Sequence, residues 1–138
     1  MDKKGRAALQ RVRAQRGYVL PIHEVMAELD PEILRLYGDL SSYLLFDGAS
    51  KALDVKTRAL VLVGITTAVR GDSEGIHTNA QRALAAGASD QEVLEAIMLA
   101  ALPAGIPAVE EAAKAWKQLK AGRPLTRVRL RAPRKKIK

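Results

Sequence analysis

The chain contains no cysteine. It can therefore form no disulfide, carry no thiolate nucleophile and ligate no iron–sulfur cluster. This composition suits a reducing compartment, and the cytoplasm is the expected location. Histidine is nearly absent too, with only His23 and His77 present. Two separated histidines without a matching carboxylate pattern make a poor transition-metal site, so neither a metal nor a cofactor is expected. Aromatic residues make up 4% of the chain, with one tryptophan and one phenylalanine. Long hydrophobic runs are missing as well. The longest, Ala59 to Val69, is interrupted by Gly64, Thr66 and Thr67, and it is too short to cross a bilayer. The basic N-terminal residues are not followed by the apolar stretch of a signal peptide. A soluble protein with no membrane partner is the expectation. A glycine-rich phosphate loop and alternating strand patterns are also lacking in the middle of the chain, which excludes nucleotide-binding sheet folds.

What is present is a chain of 138 residues, long enough for one domain with a real core. Its net charge of +8 is unevenly placed. Residues 1–16 hold six basic groups against one acid, and residues 123–138 hold eight basic groups and no acid. The middle is therefore mildly acidic, and the basicity of the whole says little about what the core binds. Three parts are expected: a basic N-terminal segment over 1–17, a helical domain over 18–122 and a basic tail over 123–138.

Apolar residues recur at helical spacing throughout, so the fold class is all-α. Residues 3–16 read as a basic helix or a loose arm. A short helix opens at Pro21, and His23, beside Pro21 and Glu24, is expected on an exposed face. Asp30 caps the next helix, with Pro31 in its first turn. The apolar set of that helix is Ile33, Leu34, Leu36, Tyr37, Leu40, Leu44 and Leu45, and Asp47-Gly48 ends it. Asp54 caps a helix over Val55 to Val69 that is apolar around most of its circumference. Such a helix must be covered on most sides, partly by neighbouring subunits in so small a protein. A turn at Gly71-Asp72 leads to a helix from Ser73 to Ala86, with Ser73 read as its N-cap and Gly87 as its stop. Ser89 and Glu92 form a capping box for a helix to about Leu102. Met98 and Leu102 read as core. Gly105 and Pro107 break the pattern before a last helix, Ala108 to Lys120, anchored by Trp116.

Three stretches bear a wider resemblance: LDVKTRALV from Leu53, GIHTNAQRALAAGAS around His77, and EAIMLAALPAGIPA up to Ala108. Together they resemble the carboxymuconolactone decarboxylase and alkyl hydroperoxidase D-like family, over roughly Tyr18 to Trp116. The resemblance implies an all-α, AhpD-like helical bundle of about six helices. It also implies assembly as a homotrimer or homohexamer, with sites near subunit contacts. Redox members carry two cysteines just before the helix histidine and a glutamate in the preceding helix. Here Arg70 and Ser73 match the cysteine positions and Ala59 matches the glutamate, with Arg58 beside it. Thiol peroxidase chemistry is thereby excluded.

The cysteine-less decarboxylase branch keeps the histidine, and its resemblance implies a lyase acting on a small carboxylated molecule. Such a reaction needs a cation to hold a carboxylate and an acid–base group to protonate the carbanion. His77 is the candidate proton donor, with Glu74 three residues away to orient it. Arg70, Arg58 and Arg82 are candidate carboxylate holders. Ser73 and the free N–H groups at the start of its helix are candidates for an anionic oxygen. Two rival readings stand beside this one. The first is an oligomeric binding or scaffold protein without catalysis, since a lone helix histidine is more often a surface or packing residue. The second is weak nonspecific nucleic-acid binding through the basic ends, which have no interleaved aromatic residues for base stacking.

Overall fold

A computed structural model describes residues 1–46 and 52–122. Among them the chain forms eight α-helices and one π-helical turn. The helices group into two compact units. The basic tail and Asp47-Gly48 lie outside the described residues.

The first unit begins with α1 (Lys3–Arg16), capped by Asp2, whose carboxylate accepts the Gly5 N–H at 2.8 Å. Gly17, at φ 82°, closes the other end and returns its N–H to Arg13 O. That backbone angle is one a side chain resists, which is why glycine ends the helix there. Arg13 and Arg16 occupy the last turn, where their charge complements the helix dipole. Two shorter helices follow, α2 (Pro21–Leu29) and α3 (Pro31–Ser41). Asp30 caps α3 by accepting from Glu32 N and Ile33 N. Val12, Ala27 and Leu34 bury against one another at the centre of the unit, with Ala8, Leu9, Val19 and Met26 around them. The basic N-terminal residues thus form a helix that packs on α2 and α3.

Two expectations in this unit are corrected. The helix expected to run on to Leu45 stops being α-helical at Ser41 and passes into a π-helical turn over Ser42–Phe46. Of its apolar set, Leu34 is buried while Ile33, Leu36, Tyr37, Leu40 and Leu44 remain exposed. His23, expected at the surface, is completely buried.

The second unit starts with α4 (Val55–Ala68), capped by Asp54, which accepts the Thr57 N–H at 2.7 Å. It continues through α5 (Ser73–Ala85), α6 (Asp90–Leu99), the one-turn α7 (Ala101–Ala104) and α8 (Ile106–Lys120). Its core joins Ala59 and Val63 of α4, Ile76, Ala80 and Ala83 of α5, Val93 and Ile97 of α6, and Ala112 and Ala115 of α8. So many alanines let the helices approach closely, and Trp116 packs against the edge of this core. Two ion pairs brace α6: Lys56–Glu92 at 2.9 Å and Lys120–Asp90 at 2.8 Å.

The Ser89–Glu92 capping box forms as expected, with each side chain taking the other's N–H. The cap of α5 is Asp72 rather than Ser73: its carboxylate accepts the Gly75 N–H at 2.7 Å. Asp and Ser cap comparably well, and here the turn brings the aspartate one position earlier. Gly105 sits at φ 80° and separates α7 from α8. Met98 and Leu102 are exposed, so neither belongs to the core. The opposite sides of α4 differ sharply. Ala59, Val63 and Thr67 are buried, while Val61, Ile65 and Val69 are exposed.

Candidate functional site

Helix α5 carries the candidate histidine on its buried side, among Ile76, Thr78, Ala80 and Ala83. His77 is 4% exposed. Both ring nitrogens, Nδ1 and Nε2, are inaccessible and make no hydrogen bond. A neutral imidazole has one donor and one acceptor, so this ring has two unmet polar groups. Leaving such a group unsatisfied in the interior costs about 1–3 kcal/mol. Burial lowers the His77 pKa below its usual value, and no charge among the described residues contributes to that shift. At neutral pH the ring is therefore uncharged.

The other candidates take separate places. Ser73 opens α5 and Glu74 follows it, both half-buried. The Glu74 backbone carbonyl accepts from Thr78 Oγ1 at 2.8 Å, and no hydrogen bond joins Glu74 to His77. Because Asp72 already caps α5, a carboxylate occupies the helix start where Ser73 was expected to help bind an anion. Arg70 ends the α4 turn. It is exposed and is the non-glycine residue with positive φ, 53°, among the described residues. Its N–H reaches Thr67 O and that of Gly71 reaches Thr66 O. Arg58 returns its Nε to Asp54 O at 3.4 Å.

Arg82 belongs to a hydrogen-bonded ladder that the sequence did not suggest. Its guanidinium donates to Asn79 Oδ1 at 3.1 Å, Asn79 Nδ2 donates to Thr66 Oγ1 at 2.8 Å, and that hydroxyl donates to Leu62 O at 2.7 Å. The ladder ties α5 to α4. Ala59 is buried in the core. Among the described residues no group of three histidine, aspartate or glutamate side chains is placed to hold a metal. No helix among them is long and apolar enough to cross a membrane.

A groove of about 480 Å³ runs between α4 and α6. It is lined by the small residues Gly64, Ala68, Ala96 and Ala100 together with Val61, Ile65 and Leu99. His77 does not line it. Sequence reasoning missed this groove. Its only trace there was a helix apolar on too many sides for one small chain to cover.

The comparisons with known proteins bear on the family and the fold. The sequence profile of the carboxymuconolactone decarboxylase family matches residues 31–118, from the start of α3 into the last turns of α8. One solved structure, a candidate carboxymuconolactone decarboxylase from Burkholderia xenovorans LB400, shares the fold with a TM-score of 0.65 at 24% identity. The similarity covers 87% of this chain and 99% of that one. No curated protein sequence matches the chain. With its all-α fold, its missing cysteines and a family match over most of its length, the chain belongs to the carboxymuconolactone decarboxylase family.

Proposed function

We propose that the protein is a cofactor-independent lyase-type enzyme acting on a small carboxylated molecule, with His77 as its acid–base group. The observation that carries this reading is the pair of partnerless nitrogens on a buried ring. A residue kept only for packing does better as leucine or methionine, because an apolar side chain leaves no polar group unmet. Retaining an imidazole there makes sense when a ligand supplies the missing partners.

The depressed pKa fits the sequence of events. The resting ring is neutral and closed off, so the packing around it must open for a carboxylate to arrive; the ring then takes up a proton, since a nearby negative charge favours the imidazolium. The bond from carbon to the departing carboxylate then breaks and carbon dioxide leaves. The electron pair stays on that carbon, conjugated with the neighbouring carbonyl. The imidazolium delivers its proton to the carbon and returns to neutral. Arg70, Arg58 and Arg82 remain the candidate holders of the carboxylate. Because no cation among the described residues shifts His77, one of them must approach on substrate binding or come from a neighbouring copy. Assembly as a homotrimer or homohexamer is part of the proposal, supported by the exposed apolar rows of α3 and α4.

That no cation among the described residues acts on His77 favours a second reading, in which the protein keeps the family's assembly without its catalysis. A thermal-shift screen of small mono- and dicarboxylates on wild type and His77→Ala separates the two. Stabilisation of wild type that His77→Ala loses supports the enzyme reading. An equal response of both proteins, or none, supports the scaffold.

A further inference from the structure

The other histidine belongs to the first unit and takes no part in the proposed chemistry. His23 stands at the third position of α2 and is completely buried. Its Nδ1 accepts the Leu20 N–H at 3.1 Å. In the neutral ring the proton must therefore reside on Nε2, and that nitrogen is buried with no hydrogen-bond partner. This contact is the backbone half of a capping box, in which a side chain at the third position usually takes the N-cap N–H through glutamine or glutamate. Here a titratable ring does the work.

The groups facing the ring come from both neighbouring helices. From α1, Arg16 places its guanidinium 5.0 Å over the Tyr37 ring. From α3, the Tyr37 ring lies 6.0 Å from the imidazole. Among the described residues the charge acting on the ring is that of Arg16, and no carboxylate there offsets it.

We infer that His23 is an acid-sensitive latch on the packing of α1, α2 and α3. A proton taken up at Nδ1 removes the acceptor for Leu20 N–H, leaves an imidazolium buried beside Arg16, and frees the first turn of α2. Burial first, and Arg16 second, hold the His23 pKa down at about 4 against an ordinary 6.5. The direction follows from linkage: the opened unit binds the proton more tightly than the closed one. The latch is thus fully closed above pH 6.5 and loosens as pH falls towards 4. Between pH 6.5 and pH 4 the equilibrium between opened and closed forms rises by about 80-fold, and its limit well below pH 4 is about 300-fold, which is ten raised to the pKa difference.

The chain carries its own reporters. All three tyrosines, Tyr18, Tyr37 and Tyr43, lie in the first unit, and the single tryptophan, Trp116, lies in the second. Near-ultraviolet circular dichroism of the tyrosines, Trp116 fluorescence and amide exchange at Leu20, Ile22, His23 and Glu24 are followed from pH 7 to pH 4. The latch predicts a tyrosine transition with loss of amide protection in this window. It also predicts that His23→Gln abolishes this step, because glutamine can take the Leu20 N–H but does not titrate. The proposal is overturned if His23→Gln shows the same tyrosine transition as wild type. Should that variant not fold, imidazole NMR of wild type decides. Titration near 4 together with amide deprotection supports the latch, and titration near 6.5 with protected amides overturns it.

Discussion

Replacing His77 with leucine should make the protein more stable. In the resting structure the ring is 4% exposed and both of its nitrogens lack partners. Each unmet polar group costs about 1–3 kcal/mol, and a hydrophobic replacement of similar bulk gives back at most about 1.5 kcal/mol through imperfect packing. Two such groups cost about 2–6 kcal/mol together, so the net gain should be at least about 0.5 kcal/mol. For a unit the size of α4–α8, each kcal/mol moves the melting temperature by about 4–8 °C. The gain should also grow on acidification. Burial lowers the His77 pKa in the folded state, so wild type loses stability as pH falls below 6.5, and leucine does not titrate. Calorimetric melts of both proteins at pH 7 and pH 5 measure this directly, with Trp116 fluorescence reporting the second unit. A lower melting temperature for His77→Leu at pH 7 would refute the reasoning, because it would mean that the ring's polarity is satisfied in the folded protein. Such a trade of stability for a ligand-ready site is what functional positions commonly show.

Three further predictions concern the framework. A Cβ on Gly5 would stand 2.2 Å from Ala27 O and 2.7 Å from Met1 Cγ, so Gly5→Ala should destabilise the first unit by about 1–3 kcal/mol or more, read by tyrosine dichroism in urea. Asp72→Ala removes the cap of α5 and should cost the second unit about 1 kcal/mol, measured by chemical denaturation followed at Trp116. Ile65→Glu places a charge on the exposed row of α4; if that row joins subunits, light scattering will show a smaller assembly with unchanged helicity.

Helix boundaries were legible where a local signal sets them. Asp30 with Pro31, Asp54, Ser89 with Glu92, and Gly105 each act through contacts within a few residues, so the sequence alone shows them. The end of α3 was not legible, because nothing near Ser42 distinguishes a continuing α-helix from a π-helical turn. Whether Asp72 or Ser73 caps α5 turned on one residue of turn geometry between two good cap formers. The burial of His23 escaped notice for a different reason. It depends on α1 and α3 closing over α2, and Pro21 and Glu24 beside it suggest an open face. At the candidate site, the family motif located His77 and its helix. The places of Arg58, Arg70 and Arg82 depend on how helices meet, and spacing along the chain could not supply them.

The central claim is that a small carboxylate meets the ring of His77. Its most direct test is imidazole NMR of His77 while a dicarboxylate that stabilises the protein is titrated in at neutral pH. The account predicts that the ring begins neutral and shifts towards the imidazolium as ligand binds, and that the shift saturates with the binding curve. A ring whose resonances stay unchanged while the ligand saturates its site would contradict it.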